Sequence, residues 1–137
     1  MNPGGRMKRQ LILNGTPMEQ AVGFARAVRV GPWISVGGTA PLDAEGRTVG
    51  VGDVTRQAAR CYEIIDDALR RAGAGWDDVV RTRTLLTNID DWRAVSEVRK
   101  GYCLASKPVD TIVQVARFVD PDWLVEIEVD AVISAES

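Results

Sequence analysis

The segment from Leu124 to Ile133 alternates apolar and acidic residues, and this alternation limits the folds open to the chain. Successive side chains of a β-strand point to opposite faces of its sheet. One face of this strand is apolar and consists of Val125, Ile127, Val129 and Ala131. The other carries three carboxylates, those of Glu126, Glu128 and Asp130, between Leu124 and Val132. The chain is therefore expected to build a sheet with one covered face.

The acidic face of that strand needs a partner, because neighbouring like charges repel each other. Arg81 and Arg83 stand two residues apart in another strand-type run and are the expected cations. Two interpretations stay open at this point. The charges form a solvent-facing ladder, or they belong to a subunit interface or a binding site.

Strand-type and helix-type runs follow each other without a linker or an internal repeat. The strand-type runs are 8–14, 24–30, 33–38, 79–87, 111–116 and 124–133, with Gly31-Pro32 as a hairpin turn. Helix-type runs cover about 53–72, with Asp53 as N-cap, and about 90–104. The expected buried stripes are Ala58, Cys61, Tyr62, Ile65, Ala68, Leu69 and Ala72 in the first helix and Trp92, Val95, Val98 and Tyr102 in the second. The order β-β-β-α-β-α-β-β predicts one α+β domain over 1–137, with its core at about 8–134 and both helices on one face of a mixed sheet.

The chain contains no histidine and two cysteines, which removes several kinds of chemistry. Ser-His-Asp and Cys-His catalysis and histidine-ligated zinc all need the missing residue. Cys61 and Cys103 lie in the two predicted helices and are expected to be reduced and buried. Two isolated cysteines cannot build a thiolate metal site either, so no bound metal is expected. Any reaction has to rely on carboxylates, backbone groups, hydroxyls, arginine or bound water.

The charge pattern argues against nucleic acid and membranes as partners. The net charge is −2, and a nucleic-acid-binding domain usually has a basic surface. No apolar run approaches the roughly 20 residues that a membrane span needs. The first residues are basic but are not followed by the apolar stretch of a secretory signal. A cytoplasmic location is expected.

Several segments together resemble the Rid/YjgF family of reactive-intermediate deaminases. The stretch PVDTIVQVAR at 108–117, followed by LVEIEVDA at 124–131, resembles the C-terminal signature of that family. ISVGGTAP at 34–41 looks like its glycine-containing strand. Further matches at 53–57, 72–73 and 78–82 come in family order, so the resemblance extends from about Phe24 to Ile133.

The resemblance implies a chorismate-mutase-like α+β fold that forms a homotrimer, with the sheets around a central barrel and the helices outside. Small-molecule clefts then lie between subunits. Relatives that are enzymes hydrolyse enamines and imines and release ammonia without a cofactor. In such relatives the glutamate matching Glu126 is thought to position the attacking water, and Gly38 matches a backbone position of the cleft.

One position departs from the deaminating branch of the family. Asp110 stands where those relatives have the arginine that grips the substrate carboxylate. Three interpretations stay open. Asp110 caps or solvates a loop, or it is a catalytic carboxylate that pairs with Glu126 across the cleft or faces a cationic group of the substrate. The third interpretation is that it pairs with Arg99 or Arg117 and closes the cleft.

The remaining pocket positions implied by the resemblance are Phe24, Gly37, Ser96, Arg99 and Ile112. Arg99 is either an exposed helix arginine or the anion contact that position 110 has lost. The favoured function is a cofactor-independent hydrolase or deaminase acting on a small imine, enamine or related C–N substrate, other than the common 2-imino acids. The alternative is a non-catalytic trimer that binds a small metabolite. Endoribonuclease activity, which is sometimes attached to relatives, ranks last.

Overall fold

The structure is a computed structural model that describes residues 5–134. Six strands form one mixed sheet. They are β1 (Arg9–Ile12), β2 (Ala27–Val30), β3 (Trp33–Thr39), β4 (Val79–Leu86), β5 (Val109–Gln114) and β6 (Val125–Val132). Their order in the sheet is β1-β2-β3-β6-β4-β5. Only the β4–β5 pair is parallel among the pairs described. The predicted strands are all confirmed, although β3 extends one residue beyond its predicted end and β5 begins two residues before its predicted start. The other four strands are shorter than predicted.

Two main helices, α1 (Val54–Arg71) and α2 (Trp92–Cys103), pack on the same face of the sheet, as predicted. Asp53 caps α1, since its Oδ1 accepts a hydrogen bond from the Arg56 backbone N–H at 3.1 Å. Gly73 ends it with φ +87°, a left-handed conformation that favours glycine. The predicted first helix is therefore confirmed at both ends.

The core lies between the sheet and the helices. The predicted stripe of α1 is fully buried, together with Val125, Ile127, Val129 and Ala131 of β6. In α2, Val95 is buried and Tyr102 stacks on Tyr62 with ring centroids 4.9 Å apart. Both Cys61 and Cys103 are buried free thiols, which confirms their predicted state.

Trp92 corrects the predicted stripe of α2, because its side chain is 42% exposed. It is the first residue of the helix, and helical side chains lean toward the N-terminus. The ring therefore projects past the packed turns, and the Arg93 guanidinium lies 4.7 Å from its centroid.

The face of the sheet opposite the helices, here called the open face, carries the three carboxylates of β6. Arg83 forms an ion pair with Glu128, and the Ser35 hydroxyl donates to Asp130 at 2.9 Å. The predicted pairing of the acidic face with arginine is confirmed for Arg83, while Arg81 lies opposite Asp130 in register. Large exposed apolar side chains share this face, namely Leu11, Trp33 and Val109.

One feature of the N-terminal half was not predicted from the sequence. The predicted loop around Pro17 contains a π-helical turn, Glu19–Gly23. Buried Glu19 holds this turn, because its carboxylate accepts hydrogen bonds from the backbone N–H groups of Asn14 and Thr16, both at 2.9 Å.

Within residues 5–134, no helix is long and apolar enough to cross a membrane.

Candidate functional site

Glu126 lies on the open face at the point where β3 and β6 lose regular pairing. The register between these strands shifts between Val36 and Thr39, and Gly37 and Gly38 fill the irregular stretch. A Cβ on Gly38 would lie 3.2 Å from Glu126 Oε1, and one on Gly37 would lie 3.2 Å from Arg26 Nη2. The glycines thus leave backbone exposed directly beside a carboxylate and a guanidinium. We call Arg26, Gly37, Gly38 and Glu126 the Glu126 cluster.

Arg26 was not among the residues predicted from the sequence. It precedes β2, and its Nη2 donates to the Gly38 carbonyl oxygen at 2.7 Å. Its Nε is buried and has no hydrogen-bond partner among the described residues. The available signal was weak, because alternation along 24–30 places Arg26 on the open face without saying what lies beside it.

Burial sets the electrostatics of this cluster. Loss of solvent raises the pKa of Glu126, while nearby Arg26 lowers it and Glu128 raises it further. Burial likewise lowers the pKa of Arg26, and the charge of Glu126 opposes that effect. Each charge therefore favours the ionised form of the other. Such a perturbed carboxylate beside open backbone is suited to general acid–base chemistry.

Asp110 belongs to a second group of side chains, on the helix face of the sheet. Thr82 Oγ1 donates to Asp110 Oδ1 at 2.7 Å, and Arg99 Nε lies 3.8 Å from Asp110 Oδ2. Arg99 also donates from Nε to Thr82 Oγ1 and from Nη2 to the Pro108 carbonyl oxygen, both at 3.2 Å. We call Thr82, Arg99 and Asp110 the Asp110 cluster. Of the three interpretations of Asp110, the structure contains the contact with Arg99.

The other predicted pocket residues divide between the two clusters. Phe24 ends the π-helical turn two residues before Arg26 and is 45% exposed. Ser96 is half-buried on α2, one turn before Arg99. Ile112 lies two residues after Asp110 on β5 and packs against the core.

The two clusters cannot meet within one chain. Asp110 pairs in register with Thr82, which is buried under the helices, whereas Glu126 alternates with buried Val125 and Ile127 and so points to the open face. Strands β6 and β5 are separated by β4, a lateral distance of roughly 10 Å. Direct contact between Asp110 and Glu126 therefore requires a second chain.

The described residues offer no group of three or more His, Cys, Asp or Glu side chains arranged to hold a metal ion. A surface pocket between the loop that follows β3 and the outer side of α1 contains neither cluster. Its lining is Asp43, Ala44, Glu45, Val49, Arg56, Ala59, Arg60 and Glu63.

Comparison with known proteins decides the family. The sequence profile of the family described as Endoribonuclease L-PSP, which is the Rid/YjgF family, matches residues 16–133. The chain belongs to this family. The Rid/YjgF resemblance drawn from the sequence is thereby confirmed.

Some relatives of this Rid/YjgF chain carry deaminase names. It is 33% identical over 120 residues to an uncharacterised protein of Streptomyces coelicolor, covering 88% of this chain and 89% of that one. It is 30% identical to the mouse 2-iminobutanoate/2-iminopropanoate deaminase, over 77% of this chain and 78% of the relative. The chain is also 33% identical to the 3-aminoacrylate deaminase RutC of Acinetobacter baylyi, over 88% of this chain and 95% of the relative.

Solved structures confirm the predicted fold of the Rid/YjgF chain. A Mycobacterium tuberculosis member of the YjgF/YER057c/UK114 family superposes with a TM-score of 0.84 at 39% identity. The match covers 92% of this chain and all of that one. The Escherichia coli YjgF product superposes with a TM-score of 0.76 at 25% identity, and the match covers 90% of this chain and 98% of that one.

Proposed function

We propose that this protein is a cofactor-independent deaminase that hydrolyses a small imine or enamine and releases ammonia. The observation that carries the proposal is the half-buried Glu126 carboxylate beside the exposed backbone of Gly38, next to a cation. The deaminase names of the mouse and Acinetobacter relatives support the same reaction class.

In the proposed reaction, an enamine first takes a proton on carbon to become the iminium ion. Glu126 orients a water molecule and accepts one of its protons as the oxygen bonds to the iminium carbon. That proton then passes to the nitrogen of the tetrahedral intermediate, and the C–N bond breaks as Glu126 takes the hydroxyl proton. The carbonyl product leaves, and the ammonia takes this proton from Glu126 and is released as ammonium. Backbone groups at Gly38 stabilise the charge that develops during the addition.

The working unit in this proposal is a homotrimer with three clefts between subunits. Each cleft takes the Glu126 cluster and Phe24 from one subunit and the Asp110 cluster, Ser96 and Ile112 from the next. Two observations support this arrangement. The clusters point to opposite faces of one sheet, and the open face exposes apolar side chains next to paired charges, as subunit contact surfaces do.

Common 2-imino acids are not the proposed substrates. Where deaminating relatives are expected to hold the substrate carboxylate with arginine, this chain has Asp110, which repels a carboxylate. Its neighbour Arg99 is engaged by Thr82, Asp110 and the Pro108 carbonyl. Recognition at position 110 therefore differs from that of the deaminating branch.

The test measures ammonia release from imines made in situ by an amino-acid oxidase from a neutral, an acidic and a basic amino acid. Glu126→Gln is expected to reduce turnover at least roughly 100-fold, the scale of a lost general base. Glu97→Gln is the matched control, because the Glu97 side chain is 70% exposed on α2.

The pattern across substrates distinguishes the alternatives. Turnover of the basic imine alone means that Asp110 has inverted the preference, whereas turnover of the others means that another cation holds the carboxylate. Equal activity of Glu126→Gln and the wild type contradicts the assigned role. No turnover at all, together with a metabolite that raises the melting temperature without being consumed, favours the non-catalytic binding trimer.

We do not propose ribonuclease activity for this chain, despite the description of its family. The net charge is −2, histidine is absent, and three carboxylates line the centre of the open face. RNA-binding surfaces combine positive charge with stacking aromatic residues.

A further inference from the structure

The loss of the arginine at position 110 raises the question of which cation meets the substrate. Two arginines lie in the clusters, Arg26 and Arg99. Arg99 makes contacts with three groups of its own chain, Thr82, Asp110 and Pro108. Its positive charge is balanced by Asp110, so little attraction is left for another anion.

Arg26 is differently placed. Its contact to Gly38 is made to a neutral carbonyl oxygen, and the buried Nε has no partner among residues 5–134. A guanidinium has five N–H donors in a planar fork that matches a carboxylate. Among residues 5–134 only Nη2 of this fork is engaged, by the Gly38 carbonyl oxygen, so further donors are left for an anionic ligand.

The position of Arg26 relative to Glu126 fits a substrate that carries an anion close to its reactive carbon. Arg26 lies beside Gly37 and Glu126 beside Gly38, and consecutive Cα atoms are about 3.8 Å apart. A small molecule resting on this dipeptide meets a cation at one end and the proposed water-orienting carboxylate at the other. Neither glycine has a side chain that blocks it.

We propose that Arg26 binds the anionic group of the substrate, so that this protein acts on carboxylated imines or enamines, other than the common 2-imino acids, whose carboxylate lies over Gly37. This inference rests on the proposed function and names its substrate class. In this proposal the anion-binding residue lies just before β2 and not on β5. The substrate therefore binds in a different position from substrates whose carboxylate is bound at position 110. Arg26 is a substrate-binding residue, and Glu126 remains the proton acceptor.

A binding experiment tests the anion site without requiring turnover. Propionate and propionamide have nearly the same shape but differ in charge, and their binding is followed by NMR titration. Wild type is expected to bind propionate and to bind propionamide at least roughly 10-fold more weakly. Arg26→Gln should weaken propionate binding roughly 10- to 100-fold, the loss typical of hydrogen bonds to a charged group.

Three further variants make the result specific. Arg70→Gln removes an arginine that is 67% exposed on α1 and should leave propionate binding unchanged. Arg26→Lys keeps the charge but not the planar fork, so intermediate affinity is expected. Gly37→Ala is the second test variant if Arg26→Gln does not fold, because its methyl group displaces the guanidinium without removing the charge.

The outcomes separate this inference from the proposed function. Propionate affinity that depends on Arg26, without turnover of any imine, retains the anion site and contradicts the deaminase. Turnover of imines with equal kcat/KM in wild type and Arg26→Gln retains the deaminase and overturns the inference. The inference is also overturned if wild type binds neither probe, or binds both equally.

Discussion

Glu126 and Arg26 occupy one half-buried site, so the protonation of the carboxylate depends on the cation. Burial raises the pKa of Glu126 and Arg26 counteracts it, while Glu128 acts in the same direction as burial. Glu128 is itself paired with Arg83, which moderates its effect. The positive charge of Arg26 therefore extends to lower pH the range in which Glu126 can accept a proton.

The pH dependence of turnover should report this coupling. Protonated Glu126 cannot accept a proton, so kcat/KM falls as the pH drops through its pKa. The wild-type midpoint is expected above 4.5, the ordinary value. Arg26→Gln removes the contribution that lowers this pKa, so the acid limb should move to higher pH. Each profile is normalised to its own plateau, so that weaker substrate binding in Arg26→Gln does not shift the midpoint.

The control for this profile is Arg70→Gln, whose acid limb should coincide with that of the wild type. An acid limb that stays in place or moves to lower pH in Arg26→Gln would contradict the coupling between Arg26 and Glu126.

Single residues were predictable where a family pattern marks them. Glu126 and Gly38 were expected from the resemblance, and the structure places them side by side. Arg26 was not, because alternation gives the face of a side chain but not its neighbours. The contact of Asp110 with Arg99 was one of three open interpretations, since a spacing of 11 residues across a loop fixes no geometry.

At the scale of elements, the sequence predicted best where burial is periodic. The stripe of α1 and the apolar face of β6 repeat at 3.6 and 2 residues, and both are buried as expected. The π-helical turn at Glu19–Gly23 escaped because it depends on one glutamate folding back onto two backbone amides. Trp92 was placed wrongly because the stripe was extended to the first residue of α2.

Gln57 connects α1 to the segment that leads into β6, beside the proposed catalytic strand. Its buried amide donates to the carbonyl oxygens of Gly50 and Asp122, and its Oε1 accepts from the Leu124 N–H at 2.8 Å. All three partners are backbone groups that become unsatisfied without it. The side chain thereby fixes where β6 begins.

Gln57→Leu should lower the free energy of unfolding by about 2 to 4 kcal/mol, because it leaves these backbone groups without partners while keeping the volume. Urea denaturation measures the change, with Gln20→Leu as the exposed control. Equal stability of the two variants would show that the Gln57 contacts contribute little.

At the scale of the whole molecule, the open face combines exposed apolar side chains with carboxylates. It holds Trp33 at 47% exposure and Val109 at 57%, around ion-paired and hydrogen-bonded carboxylates. The sequence could predict that one face of the sheet is polar and the other covered. The alternation of side chains along a strand gives no information on what packs on the polar face.

The central claim is that the Glu126 and Asp110 clusters form one site only between subunits, and chemical cross-linking tests it directly. The double variant Asp110→Cys/Glu126→Cys carries its new thiols on opposite faces of one sheet, while native Cys61 and Cys103 are buried. A short bis-maleimide therefore cannot join the two positions within a chain. The account predicts a covalent three-chain product from the double variant, and none from either single variant. A folded double variant that reacts at both thiols but remains a single chain by mass would contradict it.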